Sequence, residues 1–161
     1  MSPVESSPVE SSTVEQPPVG IVVVSHSRAL GTAAAELAHE VVGTDVPIAV
    51  AAGIDDTTTG TDAAAIATAI ATTDRGSGVV VLMDLGSAVL SAELALDLLE
   101  DVGADPGTRG RTVLCPGPLV EGLVVAAATA STGADRHRVS ADAAAALGPK
   151  RTHLGESWDE P

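Results

Sequence analysis

The stretch Val19–Arg28, "VGIVVVSHSR", decides the fold. From Val19 to Val24 the chain climbs through apolar and small residues without a polar interruption. A strand wet on one side alternates apolar and polar side chains, whereas an uninterrupted run reads as a strand buried on both faces. Such a strand needs cover above and below, which parallel sheets obtain from crossover helices. The run ends in His26 between Ser25 and Ser27. A ring that can attack, bind metal or move protons therefore stands at a strand end.

Outward from this run, strand and helix signals alternate. Arg28–Val42 is a predicted helix with Leu30, Ala34, Leu37, Ala38 and Val41 on one stripe, stopped by Gly43. Val46–Ala51 is a short strand, "AGIDDTTTGT" a long loop, Asp62–Thr73 an Ala/Ile-rich helix and Gly78–Met83 a third, buried strand. "DLGSA" leads into a helix over Ala88–Glu100, and "ADPGTRG" is a turn. Arg111–Leu114 is a fourth strand, "CPGPL" leads into a helix over Val120–Ser131, and a last helix covers Ala134–Leu147. This alternation predicts an α/β fold: a doubly wound, mainly parallel four-stranded sheet with helices on both faces. The cheapest strand order is 2-1-3-4, with room for one further edge strand. Residues 1–18 repeat the unit SPVES and lack the apolar content to order themselves, so they read as a disordered Ser/Pro/Glu arm. Residues 19–147 form the domain, and 148–161, with Trp158, read as a flexible tail.

Composition narrows the function classes. The chain has 161 residues, 45% of them hydrophobic, yet no Phe or Tyr, so the core is built from Ala, Val, Leu and Ile. There is no aromatic platform on which bases stack. The net charge is −14, of which −10 falls on residues 19–147. Nucleic acid and anionic membrane are excluded as partners for such a surface. A protein with a basic face is favoured through its on-rate; adaptation to solubility or high salt is the plainer reading of the same charge. The single lysine, Lys150, cannot complete a Gly-x-x-x-x-Gly-Lys loop. The single cysteine, Cys115, cannot form an internal disulfide and reads as a small buried hydrophobe at a strand end. With no signal segment and no apolar run near the roughly 20 residues of a membrane span, a cytoplasmic location is expected.

In open parallel sheets the ligand crevice lies beyond the strands' carboxyl ends, where strand order reverses. Strands one and three are neighbours at that point in a 2-1-3-4 order. Ser25-His26-Ser27 would then face Asp84-Leu85-Gly86-Ser87 across the crevice. A carboxylate accepting one ring N–H fixes the tautomer and leaves the other nitrogen's lone pair free to attack. Ser25, Ser27, Gly86 and Ser87 open helices whose free amides and hydroxyls suit an anion. That constellation points to a phosphohistidine, with Gly60 and Thr61 of the long loop on the rim. The residues alone leave His26 open to a second reading, a structurally satisfied histidine with Asp84 as a plain helix cap.

Other chemistries fit less well. His26, His39, His137 and His153 are scattered without ligand spacing, so no metal site is expected. Neither Ser25 nor Ser87 stands in Gly-x-Ser-x-Gly, and the glycines of "LGSA" make no dinucleotide fingerprint. No cofactor is expected.

Four blocks, "GIVVVSHSRALGTAAAELA", "AAGIDDTTTGTDAAAI", "VLMDLGSAVLSAELALDLL" and "CPGPLVEGLVVAAATASTGAD", together resemble the DhaM family. These are phosphotransfer subunits of the phosphotransferase-system-dependent dihydroxyacetone kinases, related to the mannose-class enzyme IIA domain. The resemblance runs in order from about Val19 to about Leu147. It implies a flavodoxin-like sheet, a homodimer, and phosphorylation of the histidine in "VSHS", here His26, with Asp84 of "MDLGS" orienting it. It further implies that His26 takes a phosphoryl group from the phosphocarrier HPr. The group would pass to ADP held on a DhaL subunit, whose partner DhaK binds dihydroxyacetone. Some members carry appended HPr-like and enzyme I-like domains; this chain is too short for them, so those proteins are expected to be separate. A mannose-class sugar-transport component, or a non-catalytic anion- or protein-binding module of the same fold, are the competing expectations.

Overall fold

The computed structural model describes residues 15–155; the SPVES repeats and Trp158 lie outside the described residues. The elements run β1 (Gly20–Ser25), α1 (Arg28–Val42), β2 (Ile48–Ala52), α2 (Ala63–Thr73), β3 (Val79–Met83), α3 (Gly86–Asp97), α4 (Thr108–Arg111), β4 (Thr112–Cys115), α5 (Leu119–Ser131), α6 (Arg136–Ala144) and α7 (Gly148–Leu154). The strands form one sheet in the order β2-β1-β3-β4, every pairing parallel. This is the doubly wound order expected from the alternation of strand and helix signals. Among the described residues the sheet has no fifth strand.

All six residues of β1 are buried, as an uninterrupted apolar run requires. Its side chains alternate between two layers. Ile21 and Val23 pack with Ala34, Ala38, Leu123, Ala126 and Val139 on one face. Val22 and Val24 pack with Ile66, Ile70, Ala88, Ala92 and Ala95 on the other. Small side chains on the helices let them sit close to a sheet of β-branched residues, which is how a core without Phe or Tyr closes.

That close approach corrects the expected face of α1. Leu30, Leu37 and Val41 are exposed at 44%, 43% and 59%. The buried stripe is Gly31, Ala34, Ala35 and Ala38. A Cβ on Gly31 would come within 2.9 Å of both Ala52 Cβ and Val50 Cγ1, so the helix rests on the sheet at a point where only glycine fits.

Other boundaries shift for local reasons. β2 starts after Pro47, which has no N–H to give a ladder. α3 begins at Gly86, two residues earlier than its apolar pattern suggests, and ends at Asp97. The segment read as a turn before β4 contains α4, because Thr108 and Arg111 both reach the buried Asp74. Residues Gly148–Leu154, read as tail, form α7 with none of its residues buried, Pro149 in its first turn and Lys150 paired to Glu121 of α5. No helix among the described residues is long and apolar enough to cross a membrane.

Candidate active site

The register of β1 and β3 builds the site. Val24 stands opposite Met83, so the next residues out of the sheet are Ser25-His26 on one strand and Asp84 on its neighbour. The Asp84 amide donates to the Val24 carbonyl (3.1 Å), which fixes where its side chain starts. Asp84 Oδ2 accepts from the Ser25 hydroxyl (2.9 Å) and the His26 backbone N–H (2.9 Å). Its Oδ1 accepts from the Leu85 N–H (2.7 Å) and lies 2.8 Å from His26 Nδ1. Four donors thus converge on one carboxylate, which binds the histidine through both its backbone and its ring.

Burial alone pushes the Asp84 carboxyl upward, but the bonds from the His26 N–H, the His26 ring, the Ser25 hydroxyl and the Leu85 N–H outweigh it and leave it below the ordinary carboxylate value. An ionised carboxylate only accepts, so Nδ1 carries the proton and donates. Nε2 then presents its lone pair, and the Ser87 hydroxyl, 2.8 Å away, donates to it. The His26 side chain is one quarter exposed, so the ring's outer edge is reachable while its inner edge is held.

The other expected residues divide into two groups. Ser87 reaches the ring, and Gly86 opens α3 behind Leu85, which supplies no side-chain cap. The first amides of α3 thus lack an internal acceptor on the ring's open side. Ser25 is different: it is fully buried, its hydroxyl donating to Asp84 and accepting the Ser27 N–H (3.1 Å). Its geometry makes it a brace for the carboxylate, in place of the anion ligand expected from its position. Ser27 caps α1 by accepting the Leu30 N–H (3.3 Å).

The loop between β2 and α2 closes the other side. Gly53 and Gly60 donate their amides to the Ser25 and His26 carbonyls (3.0 and 2.9 Å). Gly60 does so at φ 141°, a conformation that favours glycine. The loop tip is ordered by Asp55, whose carboxyl is lowered to about 2 by hydrogen bonds from the Thr57 and Thr58 amides and hydroxyls. Thr61 Oγ1 lies 2.6 Å from Ser91 Oγ on α3. Ser91 escaped the sequence reading; its signal was the four-residue spacing from Ser87, which puts both hydroxyls on one side of a helix. Cys115 is buried at the end of β4, as its setting suggests. His39, His137 and His153 lie on α1, α6 and α7, and no group of three or more metal-ligating side chains forms among the described residues.

Residues 20–140 match the model of the EIIA-man family, the PTS system fructose IIA component. The chain is 45% identical over 140 residues to the Escherichia coli (strain K12) phosphoryl donor subunit DhaM of PEP-dependent dihydroxyacetone kinase. That match takes in 85% of this chain but spans only 29% of the relative's length. A Listeria innocua phosphoryl donor subunit DhaM, of PEP-dependent dihydroxyacetone kinase 2, is 39% identical over 68% of this chain and 83% of its own. Among solved structures, the protein of unknown function EF1359 superposes with a TM-score of 0.68 at 30% identity, over 79% of this chain and 93% of that one.

Proposed function

The chain belongs to the EIIA-man family, and from that premise we propose that it is a phosphohistidine carrier of the DhaM type. In this reading His26 receives a phosphoryl group from phospho-HPr and gives it to ADP held on a DhaL subunit beside DhaK, driving phosphorylation of dihydroxyacetone. It works as a homodimer in the cytoplasm. One observation carries the proposal: Nδ1 of His26 is tied to an ionised Asp84, which leaves Nε2 as the accessible nucleophile.

The chemistry is a double displacement at phosphorus. The Nε2 lone pair forms a new N–P bond as the donor's P–N bond breaks and its electron pair returns to the donor nitrogen. Asp84 stabilises the positive charge that develops on the ring while the proton stays on Nδ1. Ser87 turns its hydroxyl from Nε2 to a phosphoryl oxygen, joined by the free amides of Gly86 and Ser87 at the start of α3. In the second step a terminal phosphate oxygen of ADP attacks, the N–P bond breaks, and its pair returns to Nε2. The nucleotide stays on the acceptor, so this domain needs no nucleotide pocket of its own.

Incubation with phosphorylated HPr tests the reading: a label on His26, lost in acid and stable in base, is expected, and none on His26→Ala. Equal labelling of both proteins refutes it. Adding DhaK, DhaL and dihydroxyacetone separates the kinase role from sugar transport, since only the former yields triose phosphate. Stable binding of a phosphocompound with no covalent label would favour a non-catalytic module.

A further inference from the structure

We infer that Thr61 and Ser91 are positioning residues for this site, a hydroxyl latch that sets how closely α3 approaches the His26 ring; the inference rests on the phosphohistidine reading above. The crevice has two walls. One is the loop Gly53–Asp62, anchored to the histidine itself by the Gly60 amide on the His26 carbonyl (2.9 Å). The other is the first two turns of α3, whose Ser87 hydroxyl meets Nε2 (2.8 Å). The Thr61–Ser91 pair, 2.6 Å apart and partly buried, is a side-chain hydrogen bond that joins those two walls.

Ser87 and Ser91 are one helical turn apart, so a displacement at Ser91 is carried to Ser87 almost rigidly. Ala88 and Ala92 fasten the inner side of these turns to the core, but the outer side that carries Ser87 has no such hold. Leu85 gives no side-chain cap, and Gly86, Ser87, Val89 and Leu90 are exposed. Without Thr61, the Ser91 hydroxyl is free to turn to the carbonyl four residues back on its own helix, that of Ser87, a back-bond that bends helices. The latch therefore acts on Nε2 through Ser87, without touching the reacting atoms.

The test uses the full chain with Thr61→Val, Thr61→Ser and Ser91→Ala, each checked for folding by thermal melting. Two readouts are taken: the rate of His26 labelling by phospho-HPr and by phosphoramidate, and the ¹⁵N resonance of Nε2. Thr61→Val and Ser91→Ala are expected to slow labelling about tenfold or more. They should also move the Nε2 resonance toward that of an unbonded nitrogen. Thr61→Ser, which keeps the hydroxyl, should restore both. Wild-type rates and resonances in the two deletions, or a Thr61→Ser as impaired as Thr61→Val, overturn the inference. Should Thr61→Val not fold, Ser91→Ala reads the same bond from its other end. Should wild type fail to label with either donor, the carrier reading falls, and the Nε2 resonance still decides the latch.

Discussion

At the scale of single residues, Asp84 organises the site. It holds the Ser25 hydroxyl, the His26 amide, the Nδ1 proton and the Leu85 amide at once. An asparagine has the same shape but only one accepting oxygen, so two of those four donors would face an NH₂ group. Asp84→Asn should leave the fold intact and slow phosphorylation of His26 by about 10²- to 10⁴-fold, as loss of the tautomer-fixing carboxylate does elsewhere; rapid-quench labelling measures it. An unchanged rate would return Asp84 to the role of a helix cap. The pairing of His26 with Asp84 was legible in the sequence because a strand order and two strand ends sufficed to place both. The role of Ser25 was not. Whether a hydroxyl next to a histidine faces the ligand or the sheet depends on the pleat, and here the β1 register turns Ser25 inward onto Oδ2.

At the scale of elements, close packing decided what the apolar pattern left ambiguous. Leu30, Leu37 and Val41 marked α1 as amphipathic, yet the sheet took the smaller stripe through Gly31 and Ala38. Hydrophobicity ranks leucine above alanine, but contact distance is set by volume, and a flat β-branched surface admits a helix nearest along its alanines. The same economy appears where α6 meets the turn after β4. A Cβ at Gly117 would lie 2.6 Å from the Ala143 carbonyl oxygen and 2.9 Å from its carbon. Those are backbone atoms, which cannot rotate aside. Gly117→Ala is therefore expected to destabilise the fold by about 2 kcal/mol by forcing α6 off the edge of the sheet. Urea unfolding measures this, and an unchanged midpoint would show that α6 already moves freely there.

At the scale of the whole molecule, the two ends of the sheet do different work. The carboxyl end carries His26 with its outer edge open. The amino end is clamped by Asp74, whose Oδ2 accepts from Arg111 Nε and Nη2 (3.1 and 2.8 Å) and the Thr108 hydroxyl (2.8 Å). Its Oδ1 accepts from the Gly76 and Gly78 amides (2.9 and 3.1 Å). The order of strands and helices was legible because each element carries its own period. This clamp was not, since it joins residues 37 positions apart that no local pattern links. Burial works to raise the Asp74 carboxyl, but Arg111, the Gly76 amide and Thr108 more than offset it and hold it below its ordinary 3.8. A depressed folded value means the carboxylate stabilises the fold fully above the unfolded value. That contribution is lost as pH falls through the lower, folded one. Asp74→Ala should cost about 3 kcal/mol at neutral pH, because it strands two amides and unpairs most of a guanidinium. The gap between wild type and Asp74→Ala should stay constant through neutral and mildly acidic pH and narrow only below 3.8. Urea titrations of both proteins across that range measure the gap. A gap that widens in acid would mean the carboxyl is held protonated and that the clamp is a hydrogen bond between neutral groups.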